Sequence, residues 1–269
     1  MEFKQILPPA FLRPYIRHYW MLESNGVEGG SFRTIADGCP GLIFQQPDKG
    51  VMYQFDKKLP GIFLFGQATG HATIHMEGSF AATGIFFQPD ALKSLFGMNA
   101  GELTDTCTDL SPLAKPFGFY LEEQLAAASD ETSRINILSE YLVTMLKKQQ
   151  GRIDQQMQYA LQRITESNGN VSIKNLRDEL NLTERSFERR FKQYIGIPPS
   201  LFSRITRFQS SLQQLRHHNF DKLSDIAFVN DYADQSHFIR AFKEFAGVSP
   251  LQYKKQPHEI MENLSLISR

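Results

Sequence analysis

Arginine and lysine side chains recur at matched positions in two segments of this chain. The segment FERRFKQYIGIPP covers residues 187–199, and FIRAFKEFAGVSP covers residues 238–250, 51 residues later. Six of the thirteen positions are identical, and Arg189 in the first segment corresponds to Arg240 in the second. A guanidinium group makes paired hydrogen bonds to planar acceptors and to anionic oxygens. The repeat therefore predicts two copies of one surface that binds an anionic partner.

Two histidines and a glutamate in GHATIHMEG raise the question of a metal site. His71, His75 and Glu77 are spaced four and two residues apart, so all three can point to one face of a strand, and imidazole with carboxylate is a usable ligand set. Metalloenzymes of the cupin type use a His-x-His…Glu…His arrangement, which this stretch does not match, and the next histidine is His217. We prefer the alternative that these are polar residues at the surface or in a pocket lining, and we expect no cofactor.

Little else in the sequence predicts catalysis. It contains no G-x-S-x-G motif, phosphate-binding loop, dinucleotide fingerprint or Cys–His nucleophile pair. Cys39 and Cys107 are far apart and lack metal-like spacing, so we expect two reduced thiols and not a disulfide. His18, Tyr19 and Trp20 could line an aromatic pocket, but a single Trp in a domain is more often part of the core. The sequence favours a protein that is not an enzyme.

Length and composition indicate globular material in two domains. The chain has 269 residues, of which 41% are hydrophobic and 22% charged. No run of eighteen apolar residues or signal peptide is visible, so we expect a cytoplasmic protein without a membrane anchor. From residue 151 onward there are 17 basic and 13 acidic residues, whereas the first 150 residues hold 12 and 16. This asymmetry is compatible with nucleic-acid binding by the second half alone.

The hydrophobic pattern changes period near the middle of the chain. Up to about Gly118, runs such as GIFLFG, ATIHME and AATGIFF alternate with Gly, Pro and Asp, as in a sandwich or small barrel. A short helix is predicted over 89–97, and an amphipathic helix over 131–150 packs either on the N-terminal core, which we prefer, or on a second copy. After Gly151 the pattern is helical throughout. We therefore predict a two-domain α+β protein, with a β-barrel domain over 1–150 and an all-α domain over 151–269.

The repeated segments have the signals of a helix-turn-helix. Thr183 is the predicted N-cap of the first outer helix, and Gly196 ends that helix. Asp234 and Gly247 take these places in the second copy, with a turn one residue longer. The predicted buried faces carry Phe187, Phe191, Tyr194 and Ile195 in the first copy and Phe238, Phe242 and Phe245 in the second. The second helix of such a unit fits the major groove of duplex DNA. The helical stretch between the copies predicts a rigid spacer that holds the two second helices roughly 34 Å apart, which is one turn of the duplex.

Residues from about Gln156 to Gln256 resemble the DNA-binding domain of AraC/XylS-type bacterial transcription regulators. The stretch DQSHFIRAFKEFAGVSPLQYKK is very close to the signature of that family in its second helix-turn-helix. The family usually has Gly-Phe at the second turn, where this chain has Asp231–Tyr232. Tyr keeps the aromatic plug, and Asp adopts the left-handed conformation less easily than Gly, so we expect the turn to form at a small energetic cost.

This resemblance implies a site and a function. Members commonly carry an N-terminal sensor or oligomerisation domain, often a cupin-like β-barrel, and PPAFLRPYIRHYWMLES and ATGIFFQPDALKSLFG are similar to such domains without implying a ligand. The base-reading positions of the family fall on Arg185, Glu188, Arg189, Gln235, Ser236, Ile239 and Arg240. Expected phosphate contacts are Thr183, Lys192, His237 and Lys243.

The resemblance thus implies a sequence-specific regulator of transcription, an activator or a repressor, that binds a promoter operator in double-stranded DNA. RNA polymerase, a small-molecule effector and a second copy of the chain are the further expected partners, with monomer and homodimer both left open. The alternative function is a cupin-type metal-dependent enzyme domain fused to a helical interaction module. A third possibility keeps DNA binding and makes the first domain an oligomerisation unit without a ligand.

Overall fold

The computed structural model describes residues 2–24, 30–149, 154–217 and 220–255. The first half is built on short strands, as the sequence predicts. These strands are β1 (Glu2–Ile6), β2 (Ile16–Ser24), β3 (Gly30–Thr34), β4 (Gly41–Gln45), β5 (Val51–Gln54), β6 (Lys57–Lys58), β7 (Ile62–Phe65), β8 (Ala72–Glu77), β9 (Phe80–Phe87) and β10 (Cys107–Asp109).

The strands form two antiparallel sheets that pack face to face. The larger sheet has the order β1-β2-β9-β4-β7-β10, and the smaller has the order β3-β8-β5-β6. Trp20, Phe63 and Phe86 from the larger sheet meet Met52 and Ile74 from the smaller one in a shared hydrophobic core. The expected β-rich N-terminal domain is therefore confirmed.

The larger sheet is covered on both faces. Neighbouring residues of one strand point to opposite sides, so Trp20 faces the smaller sheet while Tyr19 faces a layer of helices. Tyr19 also hydrogen-bonds Ser139 of that layer through its hydroxyl, at 2.8 Å. The helices of this layer are α1 (Ala91–Phe96), α2 (Ser111–Ala114), α3 (Leu121–Ala127) and α4 (Glu131–Lys148).

Helix α4 packs on the N-terminal domain, as we preferred from the sequence. Leu138, Tyr141 and Leu142 are buried in the same core as the outer face of the larger sheet. Asp130 caps its N-terminus by accepting a hydrogen bond from the Ser133 amide at 2.8 Å. The predicted helix over 89–97 is also present, as α1, and Gly97 ends it with φ +67°.

The second half is helical, as predicted, and has its own core. Its helices are α5 (Gln155–Glu166), α6 (Ile173–Glu179), α7 (Glu184–Ile195), α8 (Pro199–Arg216), α9 (Leu223–Val229), α10 (Gln235–Ala246) and α11 (Pro250–Lys255). Two residues of the N-terminal half, Ile35 and Ala36, join this core. The Ala36 amide donates to the Phe245 carbonyl at 3.3 Å, so the two halves are in direct contact.

Three strands were missed by the sequence interpretation. Strands β1, β2 and β10 were not among the predicted runs, although the first two form one end of the larger sheet and the third forms the other. The predicted domain boundary at residue 150 lies outside the described residues. None of the helices in the described ranges is long and apolar enough to cross a bilayer.

Candidate nucleic-acid interface

The first helix-turn-helix unit consists of α6 and α7. Helix α6 ends at a left-handed residue, Asn181, with φ +54°, and the next amide, that of Leu182, donates back to the Arg177 carbonyl at 3.2 Å. Thr183 then caps α7 by accepting from the Ser186 amide at 3.3 Å. The predicted N-cap is confirmed.

The second unit, α9 and α10, repeats this geometry. Asp231 is left-handed, with φ +55°, and the Tyr232 amide donates to the Ala227 carbonyl at 2.9 Å. Asp234 caps α10 by accepting from the His237 amide at 2.7 Å. Two residues separate the left-handed position from the cap, against one in the first unit, so the longer turn is confirmed. The turn therefore forms with Asp231 in the left-handed conformation, as expected.

Aromatic side chains hold both outer helices from behind. Phe187 and Phe191 of α7 are buried and lie 5.9 Å apart between ring centroids. In α10, Phe238 and Phe242 lie 5.8 Å apart. Phe208 of the spacer helix α8 contacts Phe242 at 5.3 Å. Because the apolar face is fixed in this way, the opposite face of each helix is turned outward.

The predicted base-reading residues lie mainly on these outward faces. Arg185, Glu188, Arg189, Gln235, Ser236 and Arg240 are exposed. Ile239 is half-buried and packs against the edge of the C-terminal core, so only part of this side chain is free to touch a ligand. Among the described residues, Arg185, Arg189 and Arg240 form no hydrogen bond or ion pair through their guanidinium groups.

The four predicted phosphate contacts differ in how freely they can move. Lys192 and Lys243 are exposed, and the stem of Lys192 lies beside Gly101 of the N-terminal half. Thr183 is exposed, but its hydroxyl already serves the helix cap. His237 is half-buried, accepts from the Ala233 amide at 3.4 Å and contacts the Tyr232 ring. The two lysines are thus the exposed cations of the set.

Arg190, the neighbour of Arg189, has a structural role that the sequence interpretation did not assign. Its guanidinium donates to both carboxylate oxygens of Asp154 at 2.7 Å and to Gln156 at 2.7 Å. Asp154 is also the N-cap of α5, through the Met157 amide. Arg190 therefore fastens α7 to the start of α5. Successive residues of a helix lie 100° apart around its axis, so Arg190 faces α5 while its neighbour Arg189 faces outward.

The spacer helix α8 bonds to both units. Arg207 donates to the carbonyl of Gly169, which precedes the first unit, at 3.0 Å and to the carbonyl of Asp231 in the second turn at 3.2 Å. Ser203 donates to Gly169 as well, at 2.7 Å. The predicted rigid spacer is present as 18 helical residues. These side-chain bonds add to the shared hydrophobic core, and nothing in the repeat itself predicts them.

The N-terminal half contacts the end of each outer helix. Thr104 donates its hydroxyl proton to the carbonyl of Gly196, the residue that ends α7, at 2.6 Å. Gly247 ends α10 in the equivalent place, and a methyl group on it would lie 2.6 Å from the ring of His71. The His71 Nδ1 atom lies 3.5 Å from the Glu244 carbonyl oxygen. Both stop glycines therefore adjoin the β domain.

The three candidate metal ligands do not come together. His75 and Glu77 are exposed on β8, whereas His71 precedes the strand and faces α10. No cluster of three His, Cys, Asp or Glu able to hold a metal occurs within the described ranges. Cys39 and Cys107 are free thiols, as expected.

Comparisons with known proteins match the two halves separately. Residues 4–109, which include strands β2 to β10 and part of β1, match a family described as Domain of unknown function (DUF6597). Residues 176–256 match a family described as Helix-turn-helix domain. A Haemophilus influenzae protein named as an uncharacterized HTH-type transcriptional regulator is 26% identical over 183 residues, which cover 63% of this chain and 60% of that protein. The HTH-type transcriptional activator RhaS of Escherichia fergusonii is 31% identical over 85 residues, or 32% of this chain and 30% of the activator.

A solved structure of ToxT from Vibrio cholerae is 12% identical, with a TM-score of 0.46, and the match covers 94% of this chain and 98% of ToxT. In the two curated relatives, from Haemophilus influenzae and Escherichia fergusonii, the match spans less than two thirds of the relative's own length. The two units and their cap geometry define the class of domain, which is a tandem helix-turn-helix domain of the kind that enters the major groove of duplex DNA. Its similarity to HTH-type transcriptional regulators, RhaS among them, confirms the resemblance to AraC-type regulators found in the sequence.

Proposed function

We propose that this chain is a sequence-specific transcription regulator that binds double-stranded DNA with two recognition helices, α7 and α10. The observation that carries the proposal is the repeated geometry of the two units: a left-handed turn residue, a capped outer helix, a buried phenylalanine face and unpaired arginines on the outward face. One surface of this kind is compatible with an ordinary solvated helix. Two copies on one spacer are what a reader of two successive groove segments requires.

The proposed base-reading residues are Arg185, Glu188, Arg189, Gln235, Ser236, Ile239 and Arg240. An arginine can bond a guanine with both arms, a glutamine can do the same with adenine, a glutamate can accept from cytosine, and an isoleucine can touch a thymine methyl group. Thr183, Lys192, His237 and Lys243 would contact phosphates, which sets register and carries no sequence information. An operator in a promoter, and contact with RNA polymerase in the cytoplasm, complete the proposal.

We further propose that the N-terminal domain, taken as residues 1–150, senses a small molecule or forms a homodimer and so changes how the two helices are presented. The contacts from Thr104 and His71 to the two stop glycines support this, because they join the β domain to both outer helices. A ligand that prefers one arrangement of these contacts would shift the population of DNA-binding states.

Selection of bound sites from random duplex DNA, followed by affinity measurements on the enriched site, tests the proposal. We expect an enriched motif, and we expect Arg189→Ala and Arg240→Ala each to weaken binding by about 1–3 kcal/mol and to relax base preference at a different part of the motif. Lys147→Ala, which removes an exposed cation from α4 in the N-terminal half, is the matched control and should leave affinity unchanged. Unchanged affinity in both arginine variants would contradict the assignment.

A further inference from the structure

A cavity lies between the two sheets of the N-terminal domain. Its volume is about 330 Å³, within the range of pockets that hold small molecules. Apolar side chains from both sheets form most of its wall, and they include Trp20, Ile43, Met52, Phe63, Ile74 and Phe86. The lining includes residues of the segments 34–39 and 66–72, and both segments contact the helical domain, through Ala36 and His71. The cavity is therefore both a binding space and a neighbour of the DNA-binding half.

Two buried polar atoms in residues of this lining lack a partner. Trp20 is 1% exposed and Gln67 is 0% exposed, yet the indole Nε1 and the amide Oε1 have no hydrogen-bond partner among the described residues. The ring of Trp20 is held against β9, because a side chain at Gly84 would collide with it. The Gln67 amide nitrogen donates to the Gly38 carbonyl at 3.0 Å, which fixes that side chain too. Neither atom has accessible surface, so both lie behind the wall, and the surface that the cavity presents beside them is apolar.

The charges of the lining restrict the ligand further. Among the described lining residues the carboxylates are Asp37 and Asp105, and there is neither Lys nor Arg. Asp105 is engaged by the amide and hydroxyl of Thr69, both at 2.7 Å. Asp37 accepts from the Cys39 amide at 2.9 Å, and burial raises its pKa to about 6, although the charge of Arg17 opposes this rise. A ligand carboxylate or phosphate would meet these anions without a cation in the wall to pair with it.

We propose that this cavity binds a largely apolar small molecule that is uncharged or carries one positive charge, with the apolar wall packing against its body and Asp37 favouring a cation. Anionic molecules of the same size are excluded by charge. Only the effect of the ligand on DNA binding rests on the proposed function, since binding to the cavity itself can be measured without DNA.

The same residues connect the cavity to both recognition helices. A methyl group on Gly196, at the end of α7, would lie 3.0 Å from the Gln67 Cγ atom, and His71 holds the equivalent place against Gly247 of α10. Gln67 and His71 are four positions apart in one loop, and both line the cavity. A ligand that packs against this part of the wall therefore acts on a loop that touches the ends of both helices.

Trp20 is the only tryptophan of the chain, so its fluorescence reports on this cavity directly. Three probes share a phenyl ring and a four-carbon chain and differ in their head group: 4-phenylbutanol, 4-phenylbutylamine and 4-phenylbutyrate. We expect the alcohol and the amine to change the emission of the full-length protein saturably and to raise its melting temperature, with the carboxylate at least tenfold weaker. Equal binding of the carboxylate, or no response to any of the three, would overturn the proposal.

Two variants test whether the probes bind in this cavity, beside Asp37. Asp37→Asn keeps an acceptor for the Cys39 amide and removes the charge, so the preference for the amine over the alcohol should fall by about tenfold. His75→Gln, on the exposed side of β8, is the matched control and should leave all three titrations unchanged. An unchanged preference in Asp37→Asn would overturn the role of that carboxylate.

A separate measurement tests whether binding in the cavity changes DNA affinity. The alcohol should change affinity for the selected DNA site at least threefold in the native chain and by less in His71→Ala. Fluorescence binding without any effect on DNA affinity would overturn the coupling. DNA binding without a fluorescence response would overturn the cavity proposal and leave the DNA-binding function standing.

Discussion

Two adjacent arginines in α7 should have opposite phenotypes, because only one of them is free. Arg189 is exposed and forms no bond with another described side chain, whereas Arg190 joins Asp154 and Gln156 with three contacts of 2.7 Å. We expect Arg189→Ala to lose DNA affinity and keep stability. We expect Arg190→Ala to lose stability and, at temperatures where it stays folded, to keep base preference.

The magnitudes follow from the environment of each side chain. A good arginine–guanine contact contributes about 1–3 kcal/mol, so Kd should rise roughly 5- to 150-fold in Arg189→Ala. Hydrogen bonds between charged groups contribute about 1.5–3 kcal/mol each when dry, but the Arg190–Asp154 pair is 26% and 30% exposed, so solvent reduces this to about 1–2 kcal/mol in total. At roughly 2–4 °C per kcal/mol, the melting temperature should fall by about 2–8 °C.

Fluorescence anisotropy on the selected DNA site and thermal denaturation by circular dichroism measure both properties on the same samples. Arg190→Lys is a useful third variant, because it keeps the charge and loses the paired geometry, and it should recover part of the stability. The reasoning is refuted if Arg190→Ala melts like the native chain, or if Arg189→Ala binds the site with native affinity and base preference.

Other variants test other parts of the account. Asp37→Asn should raise the melting temperature above pH 6 and match the native chain near pH 4. Burial raises the pKa of this carboxyl from 3.8 to about 6, so its ionised form destabilises the folded protein above pH 6, and this cost is absent once the carboxyl is protonated. Thermal denaturation at a series of pH values checks this. Asp231→Gly should stabilise the protein by roughly 0.5 kcal/mol, since φ is +55° there, and urea unfolding measures it. Thr104→Val should cost about 1 kcal/mol by the same assay, because it loses the bond to Gly196, and an unchanged midpoint would contradict that bond. Lys192→Ala should weaken binding to all DNA sequences alike and reduce the salt dependence of binding by about one ion, which a salt titration shows.

The helix-turn-helix units were predictable because their signals are local. Thr183 and Asp234 cap the helices that follow them, Gly247 has the left-handed φ of +75° expected after a helix, and the phenylalanines are spaced for one buried face. Each of these signals spans no more than two helical turns. These signals can therefore be recognised in the sequence without knowledge of the tertiary structure.

What escaped prediction depends on contacts between distant parts of the chain. Strand β2 has buried residues on both faces, Tyr19 toward the helices and Trp20 toward the smaller sheet, so it lacks the polar–apolar alternation that marks a half-exposed strand. The contact of His71 with Glu244 joins residues 173 positions apart. The sequence raised His71 as a metal ligand, and the structure places it against α10.

The most direct measurement of the central claim is guanine methylation interference on the selected DNA site, which reports contacts in the major groove. The account predicts two clusters of interference about one duplex turn apart, with Arg189→Ala removing signal from one cluster and Arg240→Ala from the other. A single cluster, or one pattern shared by both variants, would contradict the claim that this chain reads DNA with two helices.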